Sequence, residues 1–272
     1  MHTAAYSPDA AQTIEELVCS AKALGIKKLS ITEHYDMDYP HKDEIFTFDI
    51  EDYYRNFPRW REISASCGGP NLLMGIEIGW QPHLNERIAQ TVASAPFDTV
   101  LLSAHTFRGL DVFYSTEAAH IPRKERNREY ISNLARMCRE TADFDILAHY
   151  DYINRYVTDP KSSVFYSDCP KEFDELFEVL ISRDKALEIN TSSIDKQISK
   201  NAEFILPDPE VIRRYIAMGG KLITIGSDAH KSENIGIHFD RTAKYLKSLG
   251  VHELFYYEGR KPQSDPEFAK YF

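Results

Sequence analysis

Side chains that can bind metal ions lie at the ends of short apolar runs along most of this 272-residue sequence. The runs are LSITEH, MGIEI, LLSAH, ILAH, LEIN and ITIGSDAH, and each carries histidine, a carboxylate or asparagine at or near its end. Imidazole nitrogens and carboxylate oxygens are ligands for Zn²⁺, Mn²⁺ or Fe²⁺. Because such ions lower the pKa of bound water to about 7, these residues predict a metal-activated water as nucleophile. The sequence has no G-x-S-x-G elbow and no glycine-rich phosphate loop.

Glu77 is the carboxylate that is hardest to explain as a structural residue. It lies inside the apolar run LLMGIEIG, where an unpaired carboxylate would carry a burial penalty on the order of several kcal/mol. Asp228 and His230, in SDAH, could instead form a turn with a solvated carboxylate. A single histidine at a strand end is as readily held by a structural hydrogen bond. The whole set of strand-end groups therefore predicts the metal site, and no one residue does.

The elements that must position these groups alternate along the chain. Helical apolar spacing occurs in TIEELVCSAKALG, PHLNERIAQTVAS, KERNREYISNLARMCRETA, EFDELFEVLISRD, DPEVIRRYIAMGG and FDRTAKYLKSLG, and in a segment from about residue 49 to 67 that Pro58 is expected to disturb. Predicted strands are KLSIT, LLMGIEIG, DTVLLSAH, FDILAHY, ALEIN, KLITIGSDAH and ELFYYE. This alternation predicts a parallel sheet covered by helices.

The positions of the polar groups favour a closed barrel over a doubly wound sheet. In (β/α) barrels the catalytic residues come from the carboxyl ends of many strands. A doubly wound sheet concentrates its ligand residues at one crevice. Reactive groups follow almost every predicted strand of this chain, so we expect an α/β barrel. No linker or repeat is visible, and residues 1–272 are predicted to form a single domain.

The composition limits the kinds of partner that the protein is expected to bind. The net charge is −10 and the pI is about 5.5, whereas tracking a nucleic-acid backbone requires a basic surface. No apolar run approaches the roughly 18 residues that span a bilayer, and no signal peptide opens the chain. The four cysteines form no C-x-x-C pair, which is typical of reduced thiols. We therefore expect a cytoplasmic protein, monomeric or homo-oligomeric, without nucleic-acid or membrane partners.

Seven stretches in order, across nearly the whole chain, resemble the polymerase and histidinol phosphatase (PHP) superfamily, and specifically its histidinol-phosphate phosphatase branch. They are HTAAYSPDA, TEH, GIEIGWQPH, SAH, LAHYDYINRY, EINTS and ITIGSDAH. GIEIGWQPH and GSDAH are specific signals at this spacing, whereas TEH or SAH alone would be weak. The resemblance implies a distorted (β/α)7 TIM-like barrel with three divalent metal ions, Zn, Mn or Fe, at its mouth. It also implies hydrolysis of a small phosphorylated substrate, L-histidinol phosphate, in histidine biosynthesis.

The resemblance also implies which residues bind the three ions. Glu77 is expected to bridge two of them. The remaining ligands, ion by ion, are His2 and Asp228, then His105 and His149, then Asp9, His34 and His230. Within this set, Glu77, Asp228 and His230 are expected to be the catalytic residues.

Two further residues are expected to contact the substrate. Arg155, in YINRY, matches a position that binds the substrate phosphate in the family, a task that suits the guanidinium fork. His83, in QPH after Glu77, is expected to lie near the mouth with His41 and to touch the substrate rather than bind metal. The acid-rich stretch DMDYPHKDE could recognise an amine or imidazole.

The first motif departs from the family pattern, H-x-H-T. His2 and Thr3 match its second half, Met1 occupies the variable position, and the first histidine would fall just before the chain. We therefore expect the first barrel strand to be truncated at the N-terminus. Two other functions remain open: a phosphoesterase for a different small phosphomonoester, and a catalytically impaired metal-binding barrel.

Overall fold

The computed structural model describes residues 1–41 and 45–268. The helices α1 to α9 are Ile14–Ala23, Ile50–Ser66, Asn85–Ala93, Glu117–His120, Arg123–Glu140, Pro170–Ser182, Thr191–Ser199, Pro209–Ala217 and Phe239–Ser248. The strands β1 to β10 are Lys28–Asp36, Asn71–Gly79, Thr99–Ser103, Thr106–Phe107, Leu110–Asp111, Ile146–Leu147, Ala186–Asn190, Ile223–Gly226, Phe255–Glu258 and Lys261–Ser264. In the described ranges no helix is both long and apolar enough to cross a bilayer.

Six strands form one parallel sheet in the order β1-β2-β3-β6-β7-β8. Strand β2 is buried along its whole length except at Asn71, which explains its nearly continuous apolar sequence. The register places His34 of β1 beside Glu77 of β2. All six strands run in the same direction, so their carboxyl ends lie at one end of the sheet. The predicted α/β class and parallel sheet are confirmed.

The sheet is curled into a half-barrel, and the first two residues bridge its two edges. The Thr32 main-chain N–H, on β1, donates to the Met1 carbonyl oxygen over 2.8 Å. The His2 main-chain N–H donates to the carbonyl oxygen of Ala229, just beyond β8, over 3.1 Å. Strands β1 and β8 therefore approach within the width of one extended segment at this level, and Met1 and His2 lie between them.

The prediction that ELFYYE is a strand of the parallel sheet is wrong. Phe255–Glu258 pairs in antiparallel fashion with Lys261–Ser264, in a separate two-stranded hairpin. Gly259 and Arg260 turn the chain with φ of 57° and 62°, the backbone that two-residue hairpins favour. Tyr257 of this hairpin is buried against Leu101 and Ile146, so the hairpin covers the interior of the half-barrel.

Pro58 does not interrupt α2, which runs continuously through it. An internal proline costs a helix about 3 kcal/mol. The same helix buries Tyr53, Phe57 and Trp60, and burial of one large apolar side chain contributes about 1.5–3 kcal/mol. Packing of the aromatic face therefore outweighs the local penalty.

Candidate metal centre

The predicted ligands come together at the carboxyl end of the parallel sheet. They come from the first nine residues, from β1 and β2, and from the loops that follow β3, β6 and β8. The residues are His2, Asp9, His34, Glu77, His105, His149, Asp228 and His230. Most of these side chains are buried, and the exceptions are Asp9 at 40% exposed and His230 at 28%.

Glu77 lies at the centre of the cluster and is only 2% exposed. Its Oε1 is 3.0 Å from His105 Nε2 and 2.8 Å from His149 Nε2, and it accepts a hydrogen bond from Ser103. Its Oε2 is 3.5 Å from His2 Nε2. Burial alone would raise the pKa of the Glu77 carboxyl, but the imidazoles of His105 and His149 hold that pKa well below its usual value. Oε1 therefore faces two imidazoles, and Oε2 faces a third.

Asp228 forms the second group. Its Oδ1 is 3.0 Å from His2 Nε2, and its Oδ2 accepts a hydrogen bond from Arg155 Nη1 over 2.6 Å. Burial opposes ionisation of Asp228, but Arg155 and His2 keep its pKa well below the ordinary range. Burial lowers the pKa of His2, and the neighbouring His34 and His230 lower it further. His2 therefore favours its neutral form, which is the form that binds metal.

Asp9, His34 and His230 form the third group. Asp9 Oδ2 is 3.0 Å from His230 Nε2 and 3.6 Å from His34 Nε2, and the two Nε2 atoms are 3.2 Å apart. The ring of His34 also stacks on that of His2, with centroids 4.0 Å apart. Burial lowers the pKa of His230, but Asp9 and Asp228 raise it to about 9. Burial raises the pKa of Asp9, and the hydrogen bond with His230 more than offsets this and lowers it.

This donor set fits divalent cations. Two nitrogens on one tetrahedral zinc ion, each at about 2.0 Å, are roughly 3.3 Å apart, because a tetrahedron's edge is about 1.6 times that bond length. The Nε2 atoms of His34 and His230 are separated by 3.2 Å. Donor atoms of Glu77, His105 and His149 all lie within 4.8 Å of one another, as do those of the group containing His2 and Asp228. The donors are nitrogen and oxygen, which suits Zn, Mn or Fe.

Two of these residues have unusual backbone conformations. His149 has φ of 23° and Asp228 has φ of 49°, in the left-handed region that costs a non-glycine residue on the order of 1 kcal/mol. Such conformations persist where the surrounding structure holds them. Here the His149 main-chain N–H donates to the buried carboxylate of Glu188 over 2.9 Å.

Arg155 lies at the cluster, directly after the short 3₁₀ helix Tyr152–Asn154. It is 7% exposed, and its Nε donates to Ser193 Oγ over 3.1 Å. Its guanidinium lies 5.1 Å from the centre of the Tyr152 ring. Among the described residues Arg155 Nη2 has no hydrogen-bond partner, although it is buried. A buried, charged N–H group of this kind is suited to an anionic ligand.

His83 is on the surface. Its Nε2 is 3.0 Å from Asp38 Oδ2, which Arg87 also contacts, and its side chain is 58% exposed. No contact within the described ranges joins His83 to the ligand cluster, and its role toward the substrate stays a prediction. His41 stacks on Tyr114, with ring centroids 4.2 Å apart. Residues 42–44 of the acid-rich stretch lie outside the described residues.

Sequence reasoning missed several buried polar residues that hold the ligands. Glu33 accepts hydrogen bonds from Thr3 N–H over 2.9 Å and from the hydroxyls of Thr3 and Ser7, both over 2.6 Å, and so anchors the segment that carries His2. Asp36 Oδ1 is 2.7 Å from His105 Nδ1. The signal available in the sequence was the run TEHYD, which places two carboxylates and a histidine within one largely buried strand.

The chain is similar to known proteins along most of its length. A family model described as the PHP domain matches residues 1–192. A probable histidinol-phosphatase from Clostridium acetobutylicum is 32% identical over 94% of both chains. The histidinol-phosphatase of Lactococcus lactis is 29% identical, over 97% of this chain and 96% of that protein.

Two solved structures are similar to this chain in fold. The crystal structure of histidinol phosphate phosphatase from Lactococcus lactis, complexed with zinc, L-histidinol and phosphate, has a TM-score of 0.84 and 25% identity, over 97% of both chains. A putative histidinol phosphatase from Listeria monocytogenes, with a TM-score of 0.73 and 16% identity over 88% of this chain and 97% of that one, shares the fold. The chain therefore belongs to the PHP domain family.

Proposed function

We propose that this protein is a metal-dependent phosphatase that hydrolyses L-histidinol phosphate to L-histidinol and phosphate, a reaction of histidine biosynthesis. The observation that carries the proposal is the convergence of five imidazoles and three carboxylates on one end of the sheet. The similarity to histidinol-phosphatases over nearly the whole chain supports this choice of substrate.

Three divalent ions are the proposed cofactors. The first would be held by His2 and Asp228 and the second by His105 and His149, with Glu77 shared between the two. The third would be held by Asp9, His34 and His230. When bound, such ions neutralise charge on phosphate oxygens and lower the pKa of water. Glu77, Asp228 and His230 would be catalytic because they hold those charges at the reacting phosphate.

Arg155 has two tasks in this proposal. Nη1 stays on Asp228 and fixes the orientation of that carboxylate. Nη2, which is buried and without a partner among the described residues, binds a phosphate oxygen of the substrate. The same guanidinium thereby places substrate and ligand relative to each other.

The described residues supply no strand between β1 and β8, and we further propose that this gap is the position that a seventh strand would take in a (β/α)7 barrel. Below Met1, a cavity of about 270 Å³ separates the two edge strands and is lined by Ser30 of β1 and Thr224 of β8. The hydroxyl groups of Thr224 and Tyr257, which both line this cavity, are buried without a hydrogen-bond partner in the described part of the chain. The bonds from Thr32 to Met1 and from His2 to Ala229, on either side of one extended segment, support a gap of one strand's width.

The strand proposal is testable with two N-terminal extensions of equal length. One alternates apolar and polar residues and ends in histidine directly before Met1, and the other consists of glycine and serine. The first is expected to raise the unfolding temperature and the metal content relative to the second. Equal unfolding temperatures would contradict a seventh strand at this position.

Residues 1–272 are proposed to work as one domain, because the cluster needs both His2 and His230. The thiols of all four cysteines are free, which supports a reducing, cytoplasmic setting. The net charge of −10 supports a small phosphorylated substrate held with metal ions, rather than nucleic acid.

Phosphate release measured on a panel of phosphomonoesters, together with metal analysis, tests the function. We expect about three ions per chain, and a kcat/KM for L-histidinol phosphate at least about 100-fold above that for nucleotides and sugar phosphates. Comparable rates on several esters would replace histidinol phosphate by a broader substrate class. A folded chain with one ion or none, and no phosphate release, would mean a catalytically impaired barrel.

A further inference from the structure

Asp36 is a buried carboxylate next to the metal centre and is not one of its eight proposed ligands. It is the last residue of β1, and it is 7% exposed. Its Oδ1 is 2.7 Å from His105 Nδ1, and the other nitrogen of that ring, Nε2, faces Glu77 at 3.0 Å. The Asp36 main-chain N–H donates to the Phe46 carbonyl over 2.8 Å, which fixes the backbone.

His105 differs from the other imidazoles of the centre in what its Nδ1 contacts. The Nδ1 atoms of His2, His34 and His149 are buried and have no hydrogen-bond partner in the part of the chain that the structure describes. The Nδ1 of His230 contacts a main-chain oxygen, that of Asp228, over 2.9 Å. His105 has a carboxylate at hydrogen-bond distance instead. A proton on Nδ1 is then held by Asp36, and the Nε2 lone pair faces the position of an ion.

Gly79 makes room for this contact. It is the register partner of Asp36 on β2. A Cβ atom at position 79 would lie only 1.8 Å from Asp36 Oδ1 and 2.5 Å from its Cγ. Any other residue there would force the carboxylate off His105. The glycine is therefore needed for close approach and not for a turn.

Asp36 could in principle be a metal ligand itself, since its donor atoms and those of His34 and His105 lie within 4.8 Å of one another. The geometry argues against that role. Asp36 faces the Nδ1 atoms of both rings, at 2.7 Å for His105 and 3.9 Å for His34. The Nε2 atoms of both rings face the other ligands. If Asp36 bound an ion beside the Nδ1 atom of His34 or His105, that ring would have to bind a second ion through its Nε2 atom.

We propose that Asp36 is a positioning residue, which holds the ring and the tautomer of His105 so that Nε2 is offered to the ion shared with His149 and Glu77. The proposal rests on the metal centre described under the proposed function. Gly79 is also required for this positioning, because it leaves the space in which the Asp36 carboxylate lies.

The test is titration with Zn²⁺ or Mn²⁺ alone, without substrate, on Asp36→Asn, Asp36→Ala and Gly79→Ala. Loss of a partner that orients a metal-binding histidine weakens metal binding by about 10- to 100-fold. We expect a loss of that size for one ion in Asp36→Ala and Gly79→Ala, and a smaller loss in Asp36→Asn, whose amide oxygen can still accept from Nδ1–H. Asp38→Asn is the matched control, because Asp38 contacts His83 and Arg87 on the surface.

A second measurement separates positioning from general loss of structure. In the zinc-loaded protein, ¹⁵N chemical shifts of the histidine rings report which nitrogen is protonated and which binds the ion. We expect His105 to carry its proton on Nδ1 in the wild type and in Asp36→Asn, and to populate both tautomers in Asp36→Ala. Wild-type affinity for every ion together with an unchanged tautomer in Asp36→Ala would overturn the proposal. A wild type that binds ions but does not hydrolyse L-histidinol phosphate would overturn the proposed substrate and leave this inference intact.

Discussion

Asp145, at the amino end of β6, accepts hydrogen bonds from the Val100 main-chain N–H over 2.8 Å and from Arg260 over 2.5 Å. Asp98, which precedes β3, is bonded to Arg61 over 2.9 Å and to two main-chain N–H groups. At this end of the sheet each of these carboxylates meets an arginine and backbone donors. They are paired within the protein and hold strands together.

At the carboxyl end the carboxylates meet imidazoles instead. Within the described residues, Glu77 has no arginine or lysine at its oxygens and contacts His2, His105 and His149. Imidazoles that give up their protons offer lone pairs, so carboxylate and imidazole together can hold a cation. The comparison teaches that burial of a carboxylate is not itself a sign of function. What its oxygens face distinguishes a structural residue from a ligand.

The largest expected effect comes from neutralising one carboxylate at each end. Glu77→Gln is expected to lower kcat/KM by about 1,000-fold or more, beyond what removal of a single transition-state hydrogen bond costs. Asp145→Asn is expected to lower the free energy of unfolding by about 1.5–3 kcal/mol and to leave kcat unchanged, because it weakens charged hydrogen bonds outside the site. Phosphate release and urea unfolding measure both. If Glu77→Gln kept wild-type activity, a functional role would no longer distinguish the carboxylates at the carboxyl end of the sheet from those at the amino end.

Removal of metal should affect only the carboxyl end. An ion at 100 times its dissociation constant stabilises the folded state by about 2.7 kcal/mol, so chelation is expected to lower the unfolding temperature by roughly 5 °C or more. Scanning calorimetry with and without chelator measures this shift. Asp145→Asn should keep the whole shift and Glu77→Gln should lose part of it. Equal shifts in all three proteins would place the ions elsewhere.

Asp228 sharpens the comparison, because at the carboxyl end it alone among the three ligand carboxylates contacts an arginine within the described residues. Its folded-state pKa is lowered, since Arg155 and His2 outweigh burial. A carboxylate with a depressed folded pKa stabilises the fold above the unfolded pKa of about 4, and this contribution is lost as pH falls below that value. We expect the metal-free chain to lose stability in urea titrations between about pH 5 and pH 3. In Arg155→Gln the folded pKa of Asp228 should rise toward the unfolded value, so this pH-dependent loss should become smaller, and an identical profile would refute the assignment.

The smallest expected effect is at the surface of the amino end. Lys28 Nζ is 2.6 Å from Glu258, and the two side chains are 36% and 40% exposed. Exposed pairs contribute about 0–1 kcal/mol and are screened by salt. Lys28→Met, which keeps much of the apolar stem, is expected to lower the free energy of unfolding by less than about 1 kcal/mol, measured by urea unfolding at low salt. A larger loss that persists at high salt would mean that packing, and not charge, holds the hairpin.

Prediction from sequence worked where a local pattern determines the position. Parallel strands end at one side of a sheet, so the strand-end residues His34, Glu77 and His105 were expected together, and the structure brings them together. The pattern of ELFYYE did not reveal its pairing, because an apolar run is equally suited to a parallel sheet or a hairpin. Its turn, Gly259–Arg260, lacks the Asn-Gly or Asp-Gly pair that would have indicated a hairpin.

Contacts set by the register between distant segments could not be predicted. Asp36 and Gly79 are 43 positions apart, and only the pairing of β1 with β2 shows that one leaves space for the other. The same holds for Asp145 and Arg260. Their contact depends on where the β9–β10 hairpin packs, and the sequence pattern did not indicate that position. Sequence periodicity locates elements and their faces. It does not determine which side chains of two elements meet.

The left-handed backbone at His149 and Asp228 has an evolutionary consequence. Glycine at position 149 and asparagine at position 228 would relieve local strain, so a gene copy released from catalysis is expected to drift toward them and to become more stable. Selection for turnover opposes that drift, since glycine would remove the imidazole at position 149 and asparagine would remove the negative charge at position 228. The residues at positions 149 and 228 are therefore expected to distinguish, among related genes, those that encode an active enzyme from those that do not.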